Sequence, residues 1–157
     1  MTDFEALLQS LHSSGVSFIL VGGAAAIAHG SSRLTQDLDI VYDRATGNLD
    51  RLILALAPHS PYLRGAPPGL PFRWERATLQ RGLNFALSTS LGDIDLLGEI
   101  VGGGTFDDLR PEAIELKVFK THCLCLSLSQ LIQAKRAAGR PKDLEVLAEL
   151  EAIEEDG

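Results

Sequence analysis

Cysteine is nearly missing from this chain: there are two, Cys123 and Cys125. They stand two apart in a strand-like run, so their side chains lie side by side on one face, a poor arrangement for a disulfide framework. They read as two small strand residues rather than a metal or redox pair. Long apolar runs are missing too. Nothing reaches the roughly 18 consecutive apolar residues that a membrane helix needs. The opening Met1-Thr2-Asp3-Phe4-Glu5 carries acidic residues and no basic segment ahead of an apolar stretch, which argues against a secretory signal. These absences lead us to expect a cytoplasmic protein with no membrane association.

What is present fits a single folded domain. The 157 residues correspond to about one domain. Hydrophobic residues make up 45% and charged residues 22%, enough of the former to bury a core without disulfides or metals as staples. We expect one unit over 1–157, with a core over 1–126 and a C-terminal helical pair over 127–155. The net charge is −7, unevenly placed. Residues 110–142 hold seven basic and two acidic side chains, whereas residues 143–157 hold seven acidic and no basic ones. An acidic protein is a weak non-specific binder of nucleic acid, although a local basic strip could hold a phosphate-bearing ligand.

The periodicity gives helices mixed with about five or six strands, hence an α+β or α/β-type mixed sheet flanked by helices. A helix is expected over 3–14, closed by Gly15, then a strand over 16–21, a short helix over 24–29, a strand over 38–42 and a helix over 48–57. Five prolines make 58–71 a loop, and 73–80 reads as a helical turn or part of a strand. Strands are expected at 83–89, 94–97, 112–119 and 122–126. Ser127, with Gln130 three residues on, has the form of a capping box. That helix should end at Gly139, and Pro141 should open another with Leu144, Leu147, Ala148, Leu150 and Ile153 as its apolar stripe.

The chemistry lies in the carboxylates. On a strand, residues i and i+2 share a face, so Asp37 and Asp39 project together while Leu38 and Ile40 face a core. Two such charges repel unless a cation sits between them, and hard divalent ions choose carboxylate oxygens together with substrate phosphates. Asp95, between Ile94 and Leu96 on a later strand, offers a third. Three converging carboxylates can hold two cations and support in-line phosphoryl chemistry. Asp93 shares the face of Asp95 but reads as the strand entrance. A lone D-x-D is more often a turn or cap; the preceding apolar strand and Gly22-Gly23, a tight turn whose backbone N–H groups can face phosphates, tip the balance.

Val21-Gly22-Gly23, then Arg33-x-Thr35-x-Asp37-x-Asp39-Ile40, then Ile94-Asp95-Leu96-Leu97 resembles the DNA polymerase beta-type nucleotidyltransferase superfamily. Within it the chain is most similar to the AbiEii-like branch, which includes abortive-infection toxins. Residues 131–144, Leu131 to Leu144, resemble that branch's C-terminal helix pair. The resemblance implies that Gly22 and Gly23 contact a triphosphate, and that Asp37 and Asp39 bind Mg²⁺ or Mn²⁺. It also implies that Asp95 completes the metal site and helps activate an acceptor hydroxyl. Lys135 would hold NTP phosphates, Lys142-Asp143 would match the branch's closing pair, and Arg33 and Thr35 would flank the nucleotide. Taken alone, Lys135 and Arg136 read equally as ordinary exposed helix residues, Arg140-Pro141-Lys142-Asp143 reads as a helix junction, and Arg33 pairs with an acidic neighbour or sits as a loop residue. His29 and Trp74 read as structural.

The expected activity is thus NMP transfer from an NTP to a hydroxyl on RNA, protein or a small molecule, in one setting as a toxin paired with an antitoxin. The alternatives are a non-catalytic nucleotide- or partner-binding module of the same fold, and a drug-modifying nucleotidyltransferase.

Overall fold

The structure is a computed structural model and describes residues 1–156. It contains α1 (Phe4–Ser13), β1 (Phe18–Val21), α2 (Gly22–Ala28), β2 (Asp37–Tyr42), α3 (Thr46–Leu56), β3 (Tyr62–Leu63), α4 (Arg76–Arg81), β4 (Phe85–Thr89) and β5 (Gly92–Leu97). There follow β6 (Glu99–Ile100), β7 (Gly104–Thr105), α5 (Phe106–Leu109), β8 (Ile114–Val118), β9 (Thr121–Cys125), α6 (Leu128–Ala138) and α7 (Pro141–Asp156). Seven strands form one mixed sheet in the order β3-β4-β5-β2-β1-β9-β8, and β6 pairs with β7 in a small separate ribbon. The strand expected at 112–119 is β8, and the segment around 73–80 becomes α4. Among the described residues, no helix is long and apolar enough to cross a membrane.

The sheet centre explains the sequence pattern. All four residues of β1 are buried, so its apolar run is continuous rather than alternating. On β2, Leu38, Ile40 and Tyr42 are wholly buried, leaving Asp37 and Asp39 on the opposite face. α1 is capped by Asp3, whose carboxylate accepts the Ala6 N–H at 3.0 Å, and packs Leu7, Leu8 and Leu11 into the core. α3 adds Leu49, Leu52 and Leu56. Cys123 and Cys125 are free and buried, and burial pushes their thiols up to about 11 and about 12.

The C-terminal helices form as their punctuation implies. Ser127 and Gln130 make a reciprocal capping box, and Gly139 ends α6 in the left-handed conformation at φ +63°. The apolar stripe expected on α7 needs correcting. Leu147 and Leu150 face inward as expected and Ile153 is half-buried, but Leu144 is 53% exposed and Ala148 is also exposed, and Asp143 and Val146 take inward positions in their place. The reason is electrostatic: Asp143 is drawn under Lys135 and Arg140, and this sets the rotation of the first turn.

Candidate functional site

The site begins where β1 runs into α2. β1 and β2 are antiparallel with Val21 opposite Asp39, so the turn after Val21 passes directly over that carboxylate. Gly22 has φ +66°, and a Cβ there would collide with the Asp39 carboxylate. A Cβ on Gly23 would lie 2.7 Å from Cβ of Thr35. Gly-Gly is therefore demanded by the close approach of backbone to side chains as well as by the left-handed turn.

β2 and β5 run parallel, with Asp37 opposite Asp93 and Asp39 opposite Asp95. Register partners share a face, so four carboxylates stand in a two-by-two block. Asp37, Asp39 and Asp95 each present an oxygen within 4.8 Å of the others. Oδ1 of Asp39 and Oδ1 of Asp95 are buried and accept no hydrogen bond. Orphaned acceptors of this kind are costly unless a cation serves them. Burial, then the charge and closeness of the Asp95 carboxyl and the charge of Asp37, raise the Asp39 carboxyl to about 7; Lys135 pulls it down. All-oxygen donors, some without partners, suit a hard divalent ion such as Mg²⁺.

Arg64 was not evident in the sequence, where it sits inside the proline-rich stretch. It lies 2.8 Å from Oδ1 of Asp95, 3.6 Å from Asp37 and 3.6 Å from Asp93. The contact with Asp95 is an ion pair without hydrogen-bond alignment. Sheet register brings Arg64 to the block, and no local sequence signal announces it.

The other expected residues divide. Lys135 Nζ lies 3.2 Å from Oδ1 of Asp143, and its charge reaches Asp39. Asp143 also accepts the Arg140 backbone N–H and guanidinium Nε at 3.2 and 2.6 Å, and these hydrogen bonds hold its carboxyl at about 2. A cleft of about 480 Å³ opens from Gly22, Asp39 and Lys135 along Ile100, Leu131 and Ala137. Arg140 lines this cleft and Lys142 does not; Lys142 is exposed outside it. Arg33 is half-exposed and points to α7, 3.7 Å from Glu145 and 3.9 Å from Glu149. Thr35 packs on Gly23 and donates to the Asp37 carbonyl at 3.4 Å. His29 contacts the Leu126 carbonyl at 2.7 Å and Trp74 donates to the Ile53 carbonyl at 2.9 Å, both structural roles. The basic strip does not assemble: Arg110 lines a different cavity, Lys117 lies on the sheet's edge strand, and Arg136 pairs with Glu151.

No protein-family model and no curated protein matches the chain. Solved structures do. One is the lincosamide antibiotic adenylyltransferase LnuA with lincomycin bound, at TM-score 0.61 and 17% identity, over 97% of this chain and 98% of that one. Another is a Thermotoga maritima protein described as a candidate nucleotidyltransferase, at TM-score 0.57 and 15% identity, over 91% of this chain and 86% of that one. The chain has the nucleotidyltransferase fold. At these identities the likeness establishes architecture, and the chemistry must be argued from the carboxylate block.

Proposed function

We propose that this chain is a Mg²⁺-dependent nucleotidyltransferase, with Mn²⁺ as an alternative ion, that moves NMP from an NTP to a hydroxyl acceptor. The observation that carries the reading is the convergence of Asp37, Asp39 and Asp95, with a buried oxygen of Asp39 left unpartnered. Asp37 and Asp39 would hold the metal, with Asp95 completing the site. When bound, divalent ions neutralise the charge that develops on the transferred and leaving phosphates. Gly22 and Gly23 would let the backbone approach the triphosphate, and Lys135 at the cleft would add a positive charge for it. Asp95 would accept the acceptor's hydroxyl proton as its oxygen bonds to the α-phosphorus and the bond to the departing pyrophosphate breaks.

The acceptor belongs to one of three classes: RNA, protein or small molecule. The AbiEii-like resemblance supports a toxin with an antitoxin partner. The fold shared with an antibiotic adenylyltransferase supports a small molecule, as does an apolar-walled cleft of drug-binding size. A second reading, a non-catalytic nucleotide-binding module, is favoured by Arg64, since a guanidinium among the carboxylates supplies countercharge without a metal.

Thermal stability with each NTP, with and without Mg²⁺, on wild type and Asp39→Asn tests the proposal. A Mg²⁺-dependent rise with an NTP in wild type, lost in the variant, supports it. No rise with any NTP supports the non-catalytic module.

A further inference from the structure

Four carboxylates, Asp37, Asp39, Asp93 and Asp95, share one face of the sheet. The guanidinium of Arg64 lies within ion-pair distance of three of them. Its placement follows from the strand ladder. The Arg64 N–H donates to the Ala86 carbonyl at 2.9 Å, carrying the β3–β4 register one residue past Leu63. Ala86 is the register partner of Asp95, which is the partner of Asp39. One row thus runs Arg64, Ala86, Asp95, Asp39 across neighbouring strands roughly 4.8 Å apart. The member between the cation and Asp95 carries only a methyl group, so the long arginine side chain passes over it.

The grip is charge without fit. Arg64 Nε is buried and has no hydrogen-bond partner, although Asp93 lies 3.6 Å away. The Asp95 contact lacks hydrogen-bond alignment, and no carboxylate is held by a two-pronged guanidinium fork, the arrangement that makes such pairs strong. The one aligned bond of the guanidinium goes to main chain, the Leu87 carbonyl at 2.9 Å. That bond involves no carboxylate.

We infer that Arg64 is the protein's own counter-ion for the acidic block, competing with divalent metal for Asp95 and Asp37 and thereby weakening metal binding in the absence of nucleotide. The inference rests on the metal-site reading above. A cation entering the block meets a fixed positive charge and must take oxygens that the guanidinium already neutralises.

The test is Mn²⁺ binding without nucleotide, followed by calorimetry and by the Mn²⁺ paramagnetic resonance signal. Wild type, Arg64→Gln and Arg64→Lys are compared, with Asp39→Asn as the control that loses the site. Arg64→Gln should bind Mn²⁺ about tenfold more tightly, a factor set by about 1.4 kcal/mol. Arg64→Lys, which keeps the charge, should stay nearer wild type. If Arg64→Gln does not fold, Ala86→Val serves instead: its added methyls obstruct the path of the arginine over the strand, and it too should tighten Mn²⁺ binding. Equal or weaker binding in the folded variant, with Mn²⁺ still held by wild type, overturns the counter-ion role alone. Failure of both wild type and variant to bind Mn²⁺ overturns the metal site and this inference with it.

Discussion

Asp39 and Asp95 are register partners on parallel strands, two carboxylates with oxygens within 4.8 Å of each other in the acidic block. Such a pair is uncomfortable without a cation. Asp39→Asn should therefore abolish nucleotidyl transfer and Mg²⁺-dependent stabilisation while raising the melting temperature of the metal-free protein above neutral pH. Relief of 1–2 kcal/mol corresponds to about 5 °C in a chain this long. Melting curves at pH 8 with a chelator check it. A fall in melting temperature would mean that the Asp39 charge stabilises the fold.

The same group fixes a pH dependence. Because its folded-state carboxyl is raised to about 7 from 3.8, Asp39 contributes stability when protonated and loses it as pH rises between those values. Mg²⁺ competes with that proton. The increase in melting temperature on adding Mg²⁺ should accordingly be greater at pH 8 than at pH 6, and calorimetry at pH 6.5 should register proton release on binding. A Mg²⁺ effect flat across this range would separate Asp39 from the metal.

Much of this was legible in the sequence, for reasons of locality. Alternation along 37–41 gives the shared face of Asp37 and Asp39, apolar flanks mark Asp95, and Ser127, Gln130 and Gly139 punctuate α6. Arg64 was hidden because its role comes from a three-strand register, β3 to β4 to β5, that no local pattern encodes. Arg140 rather than Lys142 lines the cleft because the buried Asp143 sets the helix rotation, and a sequence stripe counts only apolar residues. Arg33 turned toward Glu145 and Glu149 because the acidic tail that holds them folds back beside its loop.

Asp143 joins the two C-terminal helices, and its side chain is only 1% exposed while it faces Lys135 and Arg140. Removing it strands the partly buried Lys135 ammonium. Asp143→Ala should destabilise by about 2 kcal/mol, less than a wholly buried pair would because Arg140 stays largely in solvent. As its carboxyl is held at about 2, the stability it supplies is present above pH 4 and is lost as pH falls from there toward 2. Urea denaturation at pH 7 and pH 3 reads both effects: wild type and variant should differ most at the first, and the gap should narrow to about half at the second.

Gly22 offers the sharpest steric test of the site, because two independent demands meet on one residue. Its φ of +66° costs any L-residue about 1 kcal/mol or more, and an added Cβ collides with the Asp39 carboxylate. Gly22→Ala should lower stability and displace Asp39 together. The double variant Gly22→Ala/Asp39→Gly removes the obstructing carboxylate and should regain the steric part of the lost stability, beyond any cost of glycine on β2 measured in Asp39→Gly alone. It should regain no Mn²⁺ binding, since the ligand is gone. If the two substitutions are instead simply additive in denaturation, the turn and the carboxylate are not in contact, and the close approach that makes Gly-Gly necessary here is wrong.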